Sequence, residues 1–193
     1  MEQPRGSASI DWQARGTAAS VGAMTPTIRD AVAADAAGIL PMYNYAVRET
    51  TAIFDTRLSD LAGRAAWLAR RRDDGFPVLI AEIDGAIAGF ASFGEFRAWD
   101  GYRFTVEHSI YVDPARHREG IGRALLAALI GRARASGKHA MMAGIAAENA
   151  GSIALHRALG FREVGRLPQV AEKFGRWLDL VFLQLLLDDS VTP

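Results

Sequence analysis

Between Phe104 and Ser136 the chain passes from an alternating strand, through two glycines, into an amphipathic helix. No other stretch limits the possible folds as tightly. In Phe104–Val112, the residues Val106, His108, Ile110 and Val112 share one face, and Thr105, Glu107, Ser109 and Tyr111 share the other. Gly120–Ser136 reads as a helix with Ile121, Leu125, Leu129 and Ala133 on its buried side, stopped by Gly137. The connecting loop is Arg116-His117-Arg118-Glu119-Gly120-Ile121-Gly122-Arg123. Two glycines at a helix start let the backbone approach a ligand closely. The unpaired N–H groups and the positive end of the helix dipole then attract an anion. Arg116, Arg118 and Arg123 add positive charge, and a pyrophosphate suits such a loop. A P-loop would need Gly-Lys-Ser/Thr, which is absent, and a dinucleotide fingerprint would need a glycine where Leu125 stands. The alternative is a tight turn that uses glycine for geometry alone.

The rest of the chain builds around this unit. Thr27–Arg29 is a short strand, and Asp30–Val47 a helix in which Pro41 should introduce a kink or begin the last turn. Ser59 and Asp60 can cap a helix through Arg72. Val78–Ile83 and Ala86–Gly94 flank Asp84-Gly85, a pair suited to the positive φ of a tight hairpin. His139–Ile145 is a strand, Asn149–Leu159 a capped helix closed by Gly160, and Phe161–Gly165 and Trp177–Leu187 the last strands. The order β-α-α-β-β-β-α-β-α-β-β indicates an α/β protein, a mixed sheet covered by helices. Residues 1–26 lack hydrophobic periodicity and read as a disordered leader, with one domain over 27–189.

Composition removes several function classes. The chain has no cysteine, which excludes a disulfide framework, a cysteine-based metal site and a cysteine nucleophile. Its four histidines show no metal-ligand spacing, so no metal is expected. Lys+Arg and Asp+Glu are equal at 22 each, which argues against broad electrostatic binding of nucleic acid or an anionic membrane. No apolar stretch reaches the ~18 residues of a membrane-spanning helix. A cytoplasmic location is the expectation.

A second motif follows the glycine loop: Asn149-Ala-Gly-Ser152-Ile-Ala-Leu-His156-Arg-Ala-Leu-Gly160-Phe161. With this motif the sequence resembles the GNAT superfamily of acyl-CoA N-acyltransferases, whose signature is Gln/Arg-x-x-Gly-x-Gly/Ala and then an Asn-led helix ending in Gly-Phe. Gly120 and Gly122 match the loop glycines, and His117 stands where the family has Gln or Arg. Within the superfamily, Thr50-Thr-Ala-Ile-Phe54, Thr105-Val-Glu107-His-Ser and Lys173-Phe-Gly-Arg-Trp-Leu-Asp179 resemble the phosphinothricin and methionine sulfone/sulfoximine N-acetyltransferases.

The resemblance implies a GNAT-like fold and acetyl-CoA as co-substrate. It implies as acceptor the α-amine of a small amino acid such as methionine sulfone, methionine sulfoximine or phosphinothricin. It also implies direct attack in a ternary complex, and a homodimer. Cofactor contacts are expected from the Ile110, Tyr111 and Val112 backbone, from His117, Arg118, Glu119, Gly120, Ile121, Gly122 and Arg123, and from Asn149 and Ser152. Glu107 is the candidate base, because burial of a mid-strand carboxylate would raise its pKa. The competing reading is a solvated Glu, or one paired with Arg103. His156 is the candidate proton source for the thiolate, the alternative being a half-buried helix histidine. His108 lies opposite Glu107 and reads as structural. Arg97 and Arg103 are candidates for the acceptor carboxylate, with Phe54 and Tyr102 as pocket walls. Lys173–Trp177 either closes the pocket or sits at a subunit contact. Other acceptors (a protein N-terminus, lysine or an aminoglycoside) and a non-catalytic acetyl-CoA-binding module remain as alternatives.

Overall fold

In a computed structural model, residues 25–188 and 190 are described. The expected leader falls almost wholly outside them. Seven strands form one sheet: β1 (Thr27–Asp30), β2 (Val78–Ile83), β3 (Ala86–Glu95), β4 (Thr105–Val112), β5 (Ala140–Ala146), β6 (Arg162–Lys173) and β7 (Arg176–Leu186). Their spatial order is β1-β2-β3-β4-β5-β7-β6. Every pairing is antiparallel except β4 with β5. That one parallel contact follows from the crossover through α3 (Ile121–Ala135), since parallel neighbours need a long connection.

Helices cover both faces. Ile121, Leu125 and Leu129 of α3 and Ile153 of α4 (Ala150–Ala158) pack on Ala91, Val106, Met141 and Val181. On the opposite face, α1 (Ala36–Glu49) and α2 (Leu61–Asp73) pack Ile39, Tyr43 and Leu68 against Ile80 and Phe90. Alternation therefore gives β4 a double allegiance. Val106 enters the α3/α4 core, whereas Tyr111 joins the α1/α2 layer.

The tight hairpin between β2 and β3 forms as its sequence indicates, with φ of 52° at Asp84 and 74° at Gly85. Three boundaries differ from expectation. The first helix starts at Ala36 rather than Asp30, because the Asp35 carboxylate accepts from the Val32 N–H and pairs with Arg29. Pro41 lies inside α1, which runs on to Glu49. Strand β6 extends to Lys173, well beyond Gly165. Its pairing with β7 is interrupted between Leu167 and Ala171, where Gln169 adopts φ 52° and donates its N–H to Asp179. Pro168 and Gln169 thus form a bulge in a continuing strand rather than its end.

Candidate active site

The sheet opens where β4 leaves β5. Register holds for Thr105–Glu107 against Ala140–Met142 and then ceases. Beyond Glu107, β4 keeps only its β3 partner, so the Ile110, Tyr111 and Val112 backbone presents polar groups to a gap. Glu107 stands at the last paired position. Burial raises its pKa, and Arg97, whose Nη1 lies 3.9 Å away, partly opposes that rise. Gly144 gives the carboxylate room, since a Cβ there would lie 2.9 Å from Glu107 Oε1.

A cavity of about 410 Å³ opens on the α1/α2 side of this point. Phe54, Arg71, Glu107, Ser109 and Tyr111 help line it. The Tyr111 ring is a fixed wall, stacked on Phe90 at 4.7 Å with its hydroxyl pushed up to about 12 by burial. The segment bearing Phe54 is held by Lys173, which is only 2% exposed. Its Nζ donates to the carbonyls of Thr50 and Ile53, each at 2.7 Å. Glu148 adds an outer clamp, accepting from Thr51 and from Arg176 of the β6–β7 hairpin.

The expected acceptor residues divide between two places. Phe54 shares the Glu107 cavity, whereas Arg97 lines the neighbouring one and comes within 3.9 Å of the Glu107 carboxylate. Tyr102 and Arg103 line that neighbouring cavity of about 420 Å³, together with Trp99 and Lys138. The Arg103 guanidinium lies over Phe104, 4.6 Å from its centroid, and does not pair with Glu107. Arg71, at the end of α2, had no sequence signal beyond membership of the Arg70-Arg71-Arg72 run.

His156 is 3% exposed and meets His108, the two Nε2 atoms being 3.2 Å apart. The tautomers follow from donors and acceptors. His156 Nδ1 lies 2.7 Å from the Ser152 carbonyl, which can only accept, so Nδ1 carries the proton. His156 Nε2 then accepts from His108 Nε2–H, leaving His108 Nδ1 buried without a partner among the described residues. His108 is therefore the immediate neighbour of His156, on the face opposite Glu107. Burial lowers the pKa of both, that of His108 to about 3. An unfolded chain binds protons below the ordinary histidine value that this pair refuses, so stability should fall as pH drops from about 6.5 toward 3. Each refused proton contributes a slope of about 1.4 kcal/mol per pH unit. Urea titrations across that window should show a shallower slope in His108→Gln. An unchanged slope would disprove the neutral pair.

At the α3 start, Gly120 adopts φ 82° and offers no side-chain cap, leaving the first-turn N–H groups open. His117, Arg118 and Arg123 are exposed around it, and Arg116 pairs with Glu119 at 3.6 Å. Gly122 has a different reason to be glycine. A Cβ there would make only ordinary contacts, 3.4 Å to Leu155 and 3.7 Å to Val112. Space outside the helix, rather than the fold, gains from its missing side chain, which fits a phosphate-bearing ligand. Gly122→Ala should keep or raise the melting temperature, since alanine favours a helix by roughly 0.5–1 kcal/mol. It should also raise the KM for acetyl-CoA several-fold, and an unchanged KM would contradict the assignment. Asn149 caps α4, accepting from the Ser152 N–H at 3.0 Å.

Among the described residues, no group of three or more His, Asp or Glu side chains is arranged to hold a metal, and no helix is long and apolar enough to cross a membrane.

Comparison with known proteins agrees with this geometry. A profile of the acetyltransferase (GNAT) family matches residues 39–161. The L-methionine sulfoximine/L-methionine sulfone acetyltransferase of Salmonella typhimurium is 52% identical over 167 residues, covering 86% of this chain and 98% of that protein. A putative acetyltransferase from Salmonella typhimurium, solved with acetyl-CoA, superposes with a TM-score of 0.85 at 51% identity, covering 88% of this chain and 98% of that one. A phosphinothricin acetyltransferase from Sinorhizobium meliloti, also solved with acetyl-CoA, gives 0.84 at 40% identity, covering 87% and 91%. Together, the sheet that opens at Glu107, the uncapped glycine start of α3 and these relatives assign the chain to the GNAT family of acetyltransferases.

Proposed function

We propose that this enzyme moves the acetyl group of acetyl-CoA to the α-amine of a small amino acid or analogue of the methionine sulfone, methionine sulfoximine or phosphinothricin type. The observation that carries the reading is Glu107, a carboxylate of raised pKa at the point where β4 and β5 part, facing a cavity of amino-acid size. The names of the relatives supply the acceptor class.

Acetyl-CoA supplies the thioester. In this proposal, the first-turn N–H groups of α3 hold its pyrophosphate, assisted by His117, Arg118, Glu119, Ile121 and Arg123. Ile110, Tyr111 and Val112 hold the pantetheine arm through their backbone, and an N–H there polarises the thioester oxygen. Asn149 and Ser152 border the arm from α4. The acceptor arrives from the α1/α2 side between Phe54 and the Tyr111 wall. Arg97 flanks it, and Tyr102 and Arg103 shape the outer approach.

An α-amine, with a pKa of roughly 8, must lose a proton before it attacks. Glu107 takes that proton, directly or through water, and its raised pKa improves it as a base. The leaving thiolate takes its proton from water, because both N–H groups of the buried, neutral His108–His156 pair are already given to the Ser152 carbonyl and to His156 Nε2. His156 is therefore a positioning residue beneath β4 rather than the direct proton source. With no cysteine in the chain, an acyl-cysteine intermediate is excluded, and direct transfer in a ternary complex is the simplest route.

Residues 27–189 form the catalytic unit in this reading. The exposed Val164, Val170, Phe174 and Trp177 of the β6–β7 hairpin suit a homodimer contact, which sedimentation would test. A cytoplasmic location accompanies the use of acetyl-CoA.

The test is thiol release with a panel of acceptors. Methionine sulfone, methionine sulfoximine and phosphinothricin should turn over, and a lysine side chain, a peptide N-terminus and an aminoglycoside should not. Turnover confined to the second group would overturn the acceptor assignment.

A further inference from the structure

The proposed acceptor carries an α-carboxylate that needs a cationic partner, and the two arginines expected from sequence are poorly placed for it. Arg103 is laid over Phe104 and lines the neighbouring cavity. Arg97 is occupied, its Nη1 donating to the Phe96 carbonyl and lying 3.9 Å from Glu107.

Arg71 is situated differently. It projects from the last turn of α2 into the same cavity as Glu107, Phe54 and Ser109. Its guanidinium occupies the space left by the missing side chain of Gly94, where a Cβ would overlap it. Gly94 is the residue directly opposite Glu107 in the β3–β4 register. The cation therefore lines the cavity over the strand next to the one that carries the base, adjacent strands being about 5 Å apart. Trp67 and Phe76 flank it, their ring centroids each 5.8 Å from its Cζ. Among the described residues no carboxylate forms an ion pair with it, Asp74 acting only at longer range, and burial works against its charge. A partly desolvated guanidinium without a counter-ion is a costly arrangement that an anionic ligand would relieve.

We propose that Arg71 binds the α-carboxylate of the acceptor amino acid and so orients its amine toward Glu107. The inference rests on the amino-acid reading above. One carbon separates the amine from the carboxylate in an α-amino acid, so anchoring the carboxylate over Gly94 directs the amine to the adjacent strand, where Glu107 stands. The planar guanidinium matches the two carboxylate oxygens, and the aromatic flanks restrict its rotation.

The experiment compares L-methionine sulfone with its neutral carboxamide, using the wild type, Arg71→Met and Arg71→Lys. The wild type should prefer the acid strongly. In Arg71→Met, kcat/KM for the acid should fall about 100-fold, mainly through KM, with the carboxamide nearly unaffected and the KM for acetyl-CoA unchanged. Arg71→Lys should recover part of the preference. Equal losses for acid and carboxamide would make Arg71 a packing residue, and no loss for either would leave the carboxylate to another group; both results overturn the proposal. If Arg71→Met does not fold, Arg71→Lys decides alone, because an acid preference equal to the wild type's contradicts a bidentate role. A wild type that releases thiol with neither compound overturns the amino-acid reading itself, a separate outcome.

Discussion

Glu107→Gln should lower kcat by about 10²–10⁴-fold while leaving the melting temperature and the KM for acetyl-CoA near their original values. The expectation comes from placement. The carboxylate lies at the end of the β4–β5 pairing and burial raises its pKa, whereas Glu95, the other carboxylate lining the cavity, is exposed at the end of β3. A base works only when ionised. The pH profile of kcat/KM should therefore carry an acid limb above the ordinary 4.5 of a glutamate, and that limb should vanish in Glu107→Gln. Arg97 supplies a sign test. Its positive charge holds the Glu107 pKa down, so Arg97→Gln should move the acid limb to higher pH. If Glu107 served only as an ion-pair partner of Arg97, stability would fall in both variants and the limb would stay.

Lys173→Met should cost about 2–4 kcal/mol of stability and raise the KM for the acceptor, with a smaller effect on acetyl-CoA. Methionine matches the length of the lysine stem but has no donor. Two carbonyls now bonded at 2.7 Å, those of Thr50 and Ile53, would lose their partner in the interior, and the longer contact to Ala46 at 3.4 Å would go with them. These carbonyls belong to the end of α1 and the segment leading to Phe54, so the acceptor wall should loosen along with the fold. Denaturant midpoints and the two KM values check the prediction. A stability loss with both KM values unchanged would separate Lys173 from the site. Within Lys173–Trp177, Lys173 is buried beneath the segment that carries Phe54, whereas Phe174 and Trp177 are exposed.

Much of the fold could be read from local chemistry. Asp84-Gly85 specifies positive φ at both positions, Asp60 and Asn149 present oxygens where helices need acceptors, and Gly120 permits the left-handed turn before α3. Each of these depends on neighbours in sequence. The alternation of β4 also separated Glu107 from His108 correctly, because a strand has period two. What escaped depends on residues far apart in the chain. His108 and His156 are 48 positions apart, and neither sequence context reveals that their rings share a hydrogen bond. In the run Arg70-Arg71-Arg72, the rotation of α2 against the sheet decides which guanidinium enters the cavity. Only the placement of Gly94 beneath it distinguishes Arg71. Tyr102 and Arg103 are near Glu107 in sequence, yet the loop after β3 turns them toward a neighbouring cavity. The length of β6 was concealed by Pro168 and Gln169, which resemble a loop and form a bulge stabilised by Asp179.

Rapid mixing under single-turnover conditions tests the central claim, direct transfer to an amino-acid amine, most closely. Enzyme mixed with acetyl-CoA alone should release no thiol. Adding L-methionine sulfone should release one thiol for each N-acetylated amino acid formed, identified by mass spectrometry. A stoichiometric burst of thiol before the acceptor is added, or no product after it, would contradict the account.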